Sequence, residues 1–345
     1  MKKICITGAN GFIGKTLCKS LKAPDNHIRG FVRAMDLYNN SSETEYISVG
    51  DIGSKTNWKD HLNGFDCVIH CAGLTHQTSS IKDINVYNLV NIDGTKRLAE
   101  QAMKAGIKRL VFLSSVKVNG ESTDQITKQK FSHKDNPNPK DSYAISKLEA
   151  EKALWEISTR TGLEVVVVRL PLVHGYGSKG NLARLIKLVR LGIPLPLSLV
   201  KNQRSMVGMD NLVDLLIRCI DHPEASGKTF LASDGEDLST PELIKLIASS
   251  MGRRANLFPL PIFILKFLGS VFDKSEPLSN KPIRNNKTNN GDKNIKPINE
   301  NKKSKILIIF LEPFFLYLPQ HLQGGSNLIF LLYNYHLSLM IQLTY

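Results

Sequence analysis

Apolar strand-like runs that alternate with helical stretches, and a Gly8-x-x-Gly11-x-x-Gly14 turn between the first strand and the first helix, predict an α/β fold. Strands that are apolar throughout must be covered on both faces, so the expected form is a doubly wound parallel sheet with a smaller C-terminal lobe. The chain has 345 residues, 42% hydrophobic and 22% charged, enough for both parts and ordinary for a soluble protein.

Residues 2–7 read as the first strand and 13–21 as the first helix. The glycines between them allow a tight turn and let backbone N–H groups approach an anion at the helix N-terminus, the arrangement of a Rossmann-type dinucleotide site. Strands are expected at 28–32, 66–71, 110–115 and 165–169, with long helices at 83–105 and 142–161. Beyond Pro171 the pattern changes to helices at about 181–191, 210–221 and 240–251, separated by Pro- and Gly-containing loops. The expected division is a dinucleotide-binding domain over 1–170 and a substrate-binding lobe over 171–272.

Residues 273–305 are rich in Asn and Lys with little apolar content, which predicts a disordered linker. Residues 306–345 are abruptly apolar. Their two apolar stretches, 306–318 and 328–343, are shorter than the ~20 residues of a spanning helix and carry Glu312, Asn334 and His336. We read this tail as the product of a reading frame lost near residue 273, which leaves the lobe incomplete. A weak membrane-contacting hairpin is the alternative.

The formal charge of +14 suits an anionic substrate or an acidic surface. No aromatic-and-basic reading motif accompanies it, so nucleic acid is not expected as a partner. Cys5, Cys18, Cys67, Cys71 and Cys219 are scattered and odd in number, which reads as reduced thiols rather than a disulfide frame or a metal site. Met1-Lys2-Lys3 runs straight into a strand with no signal peptide, and the expected location is cytoplasmic.

The chemistry concentrates in Ser115, Tyr143 and Lys147. Tyr143 and Lys147 are four residues apart in an expected helix and so share a face. A phenol is a poor base because its ordinary pKa is about 10. A neighbouring ammonium and the positive ring of an oxidised nicotinamide would both favour the phenolate, bringing it toward the working pH. Tyr143 could then exchange a proton with a substrate hydroxyl while the carbon beneath exchanges hydride. Ser115, at a strand end, would hold the same oxygen in line. His76 and His174 are lone loop histidines and are read as solvated.

Gly8-Ala9-Asn10-Gly11-Phe12-Ile13-Gly14, His70-Cys71-Ala72-Gly73, Asn91-Ile92-Asp93-Gly94-Thr95, Ser114-Ser115 and Tyr143-x-x-x-Lys147 resemble the extended short-chain dehydrogenase/reductase family, in its nucleotide-sugar epimerase/dehydratase branch. The likeness covers roughly residues 1–270. Within the branch the chain is similar both to UDP-glucose 4-epimerases and to the 4-ketoreductases that make UDP-N-acetylquinovosamine for surface polysaccharides. The resemblance implies NAD or NADP as cofactor, a UDP-sugar as substrate, and a homodimer formed through the two long helices. It implies catalysis by Ser115, Tyr143 and Lys147. Gly8, Gly11, Phe12, Ile13 and Gly14 would hold the pyrophosphate, Asp51 and Ile52 would flank the adenine, and Ala72 and Gly73 would line the cofactor path. Asn91 would support the active-site strands, and Tyr143 and Lys147 would also meet the cofactor. Ser115 would contact the sugar, Asn181 and Leu182 the substrate diphosphate, and Arg204 its phosphates.

Three departures from the family pattern bear on these roles. Arg33 stands where NAD-preferring members have an acidic residue, with Asp36 three positions later, and an arginine there favours a 2′-phosphate. Leu172 stands where galactose-pathway 4-epimerases often have asparagine, which suits the ketoreductases. Nothing in 273–345 resembles the element that normally completes the lobe. Dehydration is not expected, because Ser115 is followed by Val116-Lys117 rather than an acidic pair. A non-catalytic cofactor-binding regulator and a reductase of non-sugar ketones stay open as alternatives.

Overall fold

The computed structural model describes residues 2–35, 44–75, 84–123, 130–178 and 180–265. The chain opens with β1 (Lys2–Thr7) and α1 (Phe12–Ser20), then β2 (Asn26–Val32) and β3 (Thr44–Ser48). A short α2 (Lys59–Leu62) leads to β4 (Cys67–His70). Three contiguous helical pieces follow: α3 (Ile84–Tyr87), a π-helical turn (Asn88–Asp93) and α4 (Gly94–Lys104). They occupy the place of the single long helix expected there. Next come β5 (Arg109–Ser115), a 3₁₀ turn (Val116–Val118), α5 (Ser142–Thr161) and β6 (Glu164–Leu170). The described chain continues through β7 (Leu172–His174), α6 (Gly180–Arg190), β8 (Arg204–Gly208), α7 (Met209–Cys219), β9 (Thr229–Leu231), β10 (Asp237–Leu238) and α8 (Thr240–Ser250).

The main sheet has seven parallel strands in the order β3-β2-β1-β4-β5-β6-β9. The chain moves outward from β1 to β3 and then restarts on the other side at β4. This reversal opens a crevice at the C-terminal ends of β1 and β4, where doubly wound sheets bind ligands. Alternate residues feed two cores, which is why the strands read as unbroken apolar runs. Ile4, Ile6, Val166 and Val168 pack on one face with Leu17 of α1 and Leu212 and Leu216 of α7. Cys5, Val165 and Val167 pack on the other with Leu98 and Ala102 of α4 and Leu154 of α5. Each fully buried valine contributes about 1.5–3 kcal/mol relative to exposure.

Two compact units emerge, the first from residues 1–183 and 203–238, the second from 184–202 and 239 onward. The sequence places a boundary near 170, but the chain crosses it. β9 joins the edge of the main sheet beside β6, with Val167 opposite Thr229, and β10, β8 and β7 form a small sheet. These strands have two to five residues, too short to show a period in the sequence. In the second unit Leu185, Leu188 and Val189 of α6 pack with Leu195, Leu197, and Ile244 and Ala248 of α8. Helix α8 begins with a capping box between Ser239 and Glu242 and a proline in its first turn.

Among the described residues no helix is long and apolar enough to cross a membrane. The expected linker at 273–305, the tail at 306–345, Asp36 and His76 lie outside the described residues.

Candidate active site

The glycine turn is built by exclusion of side chains. Gly8 has φ of 63°, and a Cβ there would lie 3.0 Å from the Ala72 backbone across the crevice. A Cβ on Gly14 would lie 2.2 Å from the Gly8 carbonyl oxygen, so the first turn of α1 can approach the loop only as glycine. Gly11 N–H donates to Gly8 O at 2.8 Å, and Gly11 is the N-cap of α1 without a side-chain cap. Phe12 and Ile13 open that helix. The cradle therefore leaves backbone donors and space at a helix N-terminus, which fits a dinucleotide pyrophosphate.

The floor of the crevice is a buried polar column. Ala72 N–H donates to Thr7 Oγ1 at 3.1 Å, and Thr7 Oγ1 lies 2.6 Å from His70 Nδ1. On the other side of the ring His70 Nε2 lies 2.9 Å from Thr95 Oγ1. Burial, assisted by the Lys147 charge, lowers the His70 pKa to about 3, so the ring is neutral. The neutral ring donates through one nitrogen and accepts through the other, so both of its nitrogens are satisfied by the two threonine hydroxyls. His70 stacks on Phe112 with ring centroids 5.7 Å apart, and Lys147 Nζ lies 4.5 Å from the centroid of the same Phe112 ring.

Helix α5 delivers the Tyr-Lys pair from a firmly defined start. Asp141 is its N-cap and accepts from Ala144 N–H at 2.7 Å, while Gly162 closes its far end with φ of 77°. The Tyr143 hydroxyl hydrogen-bonds the Ser115 side chain, and burial pushes the phenol up to about 12. Lys147 donates to Leu113 O at 2.9 Å, and burial brings its pKa down to about 8, with Glu151 opposing that shift. Tyr143 is thus poised as an acid, and a further positive charge is required to make it a base.

Asn91 sits in the π-helical turn, and its amide is committed to positioning. Oδ1 accepts from Leu74 N–H at 2.8 Å, while Nδ2 donates to Leu74 O at 3.0 Å and to Ser146 Oγ at 2.9 Å. It ties the loop after β4 to the helix that carries Tyr143. Gly73 lies against this knot, because a Cβ there would be 3.1 Å from both Asn91 Oδ1 and Lys147 Nζ.

Arg33 and Asp51, on the loops after β2 and β3, form an exposed ion pair at 2.9 Å. Ile52 packs on the start of α4, where a Cβ on Gly94 would lie 2.5 Å from its Cγ2. Asn181 and Leu182 occupy the first turn of α6, with Leu182 buried. Arg204 opens β8 in the small sheet, where burial lowers the guanidinium below its ordinary value. These three lie apart in the sequence of elements from the Ser115, Tyr143 and Lys147 cluster.

Several participants were not singled out from the sequence. Glu151 accepts from Arg169 Nε at 3.1 Å and from its terminal nitrogen at 2.7 Å, and Ser114 Oγ also donates to it. Arg169 further donates to Asn119 Oδ1 at 2.9 Å. This buried network joins β5, β6 and α5 one turn beyond Lys147. Tyr87 of α3 lies 6.4 Å from the Tyr143 ring. The available signals were the i, i+4 continuation from Lys147 to Glu151 and a charged residue ending the valine strand. Among the described residues no cluster of metal-ligating side chains occurs.

A family model described as the NAD dependent epimerase/dehydratase family matches residues 4–232. The chain is 40% identical over 279 residues to a UDP-glucose 4-epimerase of Vibrio cholerae, covering 80% of this chain and 84% of that protein. It is 24% identical over 280 residues to an N-acetyl-alpha-D-glucosaminyl-diphospho-ditrans,octacis-undecaprenol 4-epimerase of Escherichia coli O157:H7, covering 81% of each. Among solved structures it is similar to MoeE5 in complex with UDP-glucose and NAD, with a TM-score of 0.65 and 25% identity, covering 75% of this chain and 85% of that one.

Proposed function

The chain belongs to the NAD dependent epimerase/dehydratase family, and from that premise we propose an enzyme of oxidation and reduction at C4 of a UDP-hexose or UDP-N-acetylhexosamine. The observation that carries this reading is the Ser115 to Tyr143 hydrogen bond with Lys147 one turn further along α5. The relative from Vibrio cholerae supports 4-epimerisation as the leading form. Reduction of a 4-keto sugar is the second form, supported by Leu172 at the departure noted above. The Asp51 partner of Arg33 offsets the charge that would attract a 2′-phosphate, which supports NAD over NADP.

Gly8, Gly11, Phe12, Ile13 and Gly14 would hold the dinucleotide, with Asp51 and Ile52 near its adenine and Ala72, Gly73 and Lys147 along its path. When bound, the oxidised nicotinamide supplies a hydride acceptor and a positive ring that favours the Tyr143 phenolate. Tyr143 Oη exchanges the proton of the C4 oxygen. Ser115 Oγ hydrogen-bonds that same oxygen and fixes its distance from Tyr143. Lys147 keeps its ammonium on the Leu113 carbonyl and adds positive charge to the pocket. Arg204, with Asn181 and Leu182, would receive the diphosphate, for which a guanidinium fork is suited in shape and charge.

The setting is proposed to be surface polysaccharide synthesis in the cytoplasm, and the five free thiols support a reducing compartment. Exposed Ile84, Leu89 and Ile145 on the helical segments support a homodimer.

The test gives the purified protein UDP-glucose and UDP-N-acetylglucosamine with NAD, and separately UDP-4-keto-6-deoxy-N-acetylglucosamine with NADH or NADPH. Product sugars are separated by chromatography and reduced cofactor is followed by absorbance. Epimer formation without net cofactor change identifies the epimerase, and stoichiometric cofactor oxidation identifies the reductase. Tyr143→Phe is expected to lower either activity about 10²–10⁴-fold. No turnover of any of these sugars, with NAD bound, would remove the proposal.

A further inference from the structure

Two short segments must meet for Ser115 to reach Tyr143: the end of β5 and the start of α5. An ion pair joins them directly. Lys117 Nζ donates to Asp141 Oδ2 at 2.6 Å, both side chains being one-third exposed. Each partner also acts on a catalytic residue two positions away. Lys117 N–H donates to Ser115 Oγ at 3.2 Å, capping the 3₁₀ turn and orienting that hydroxyl. Asp141 uses its other oxygen to cap the helix turn that carries Tyr143, through Ala144 N–H.

We propose that Lys117 and Asp141 are positioning residues that clamp Ser115 to Tyr143 and set the charge felt by the Tyr143 phenol. The inference rests on the catalytic reading given above and deepens it. The geometry makes the pair more than a surface contact, since the same two residues hold both ends of the Ser115 to Tyr143 bond. The electrostatic part follows from which groups face the phenol. From β5 it meets Ser115, from α3 Tyr87, and at the start of α5 Asp141; Lys117 approaches from the 3₁₀ turn through Asp141. Asp141 disfavours the phenolate. Lys117 stands on that carboxylate and reduces its effect.

The two partners therefore have opposite signs. Lys117→Gln leaves Asp141 uncompensated and raises the Tyr143 pKa, while the backbone N–H to Ser115 stays. Asp141→Asn removes the carboxylate charge and lowers it, while an asparagine still caps the helix. Solvent screening limits each shift to about half a pH unit.

The experiment titrates the NAD-saturated full chain by phenolate ultraviolet absorbance, each protein being subtracted from its own Tyr143→Phe counterpart. This readout needs no sugar substrate, so it stays informative if the proposed reaction is wrong. Wild type, Lys117→Gln, Asp141→Asn and the double variant are compared. Opposite shifts in the single variants, with the double variant returning toward wild type, are the expected result. Shifts of the same sense, or none, would overturn the inference and leave the pair as a tether alone. Where turnover is observed, the same ordering is expected in the pH profile of kcat/KM.

Discussion

The crevice at β1 and the helix α5 solve the same task, holding a reactive arrangement still, by opposite physical means. The glycine cradle holds by the absence of side chains. Gly8 and Gly14 bring backbone within reach of backbone, and the donors belong to the main chain. The α5 side holds by buried side-chain charge: Lys147, Glu151 and Arg169 are each nearly inaccessible and each is satisfied by named partners. The lesson is that a shape site fails when volume is added, whereas a charge site fails when charge is removed at constant volume.

Gly14→Ala should give the largest effect. Its Cβ has no room beside Gly8 O, which is backbone and cannot swing away. A cost above about 3 kcal/mol is expected, beyond ordinary overpacking, with loss of NAD affinity in a calorimetric titration. Retained affinity and melting temperature would break the shape half of the comparison.

Glu151→Gln keeps the volume and removes the charge. Arg169 is then left buried without a counter-ion, and chemical denaturation should show a loss of about 3–5 kcal/mol. Adding Arg169→Met to the same chain is expected to recover part of that loss, because the uncompensated charge is gone. If Glu151→Gln is as stable as wild type, the network is not what holds α5 in place.

The smallest effect is a pH dependence. Lys147 has its pKa lowered from 10.5 to about 8 by burial. Between those values the unfolded chain binds more protons than the folded one, so this group makes stability rise with pH from about 8 to 10.5. Its buried charge is a cost at lower pH, accepted for function. The difference in melting temperature between wild type and Lys147→Met should therefore vary across that window and be flat below it. A flat difference throughout would mean that the ammonium is better solvated than its burial implies.

Much of this was legible in the chain. Gly8, Gly11 and Gly14 mark the cradle because only one residue type tolerates such approach, so the physical requirement is written as spacing. Strands β1, β4, β5 and β6 were legible because burial on both faces leaves unbroken apolar runs. Tyr143 and Lys147 were legible through helical spacing. The short strands β7 to β10 were not, and neither was the return of residues 203–238 to the first unit, since two to five residues carry no period. The sense of the Tyr143 shift was also hidden. A lysine one turn away suggests a lowered phenol, but burial raises it, and Asp141 and Tyr87 act in the same direction.

By itself the amino-acid sequence determined five strands of the sheet, the cradle and the candidate trio, because local spacing and composition encode those demands. Only the tertiary structure decided how the trio is held and charged. Lys117 meets Asp141 across 24 residues, Glu151 meets Arg169 across 18, and Asn91 meets Ser146 across 55. Burial and long-range pairing set ionisation, and neither has a signature that a linear pattern can carry.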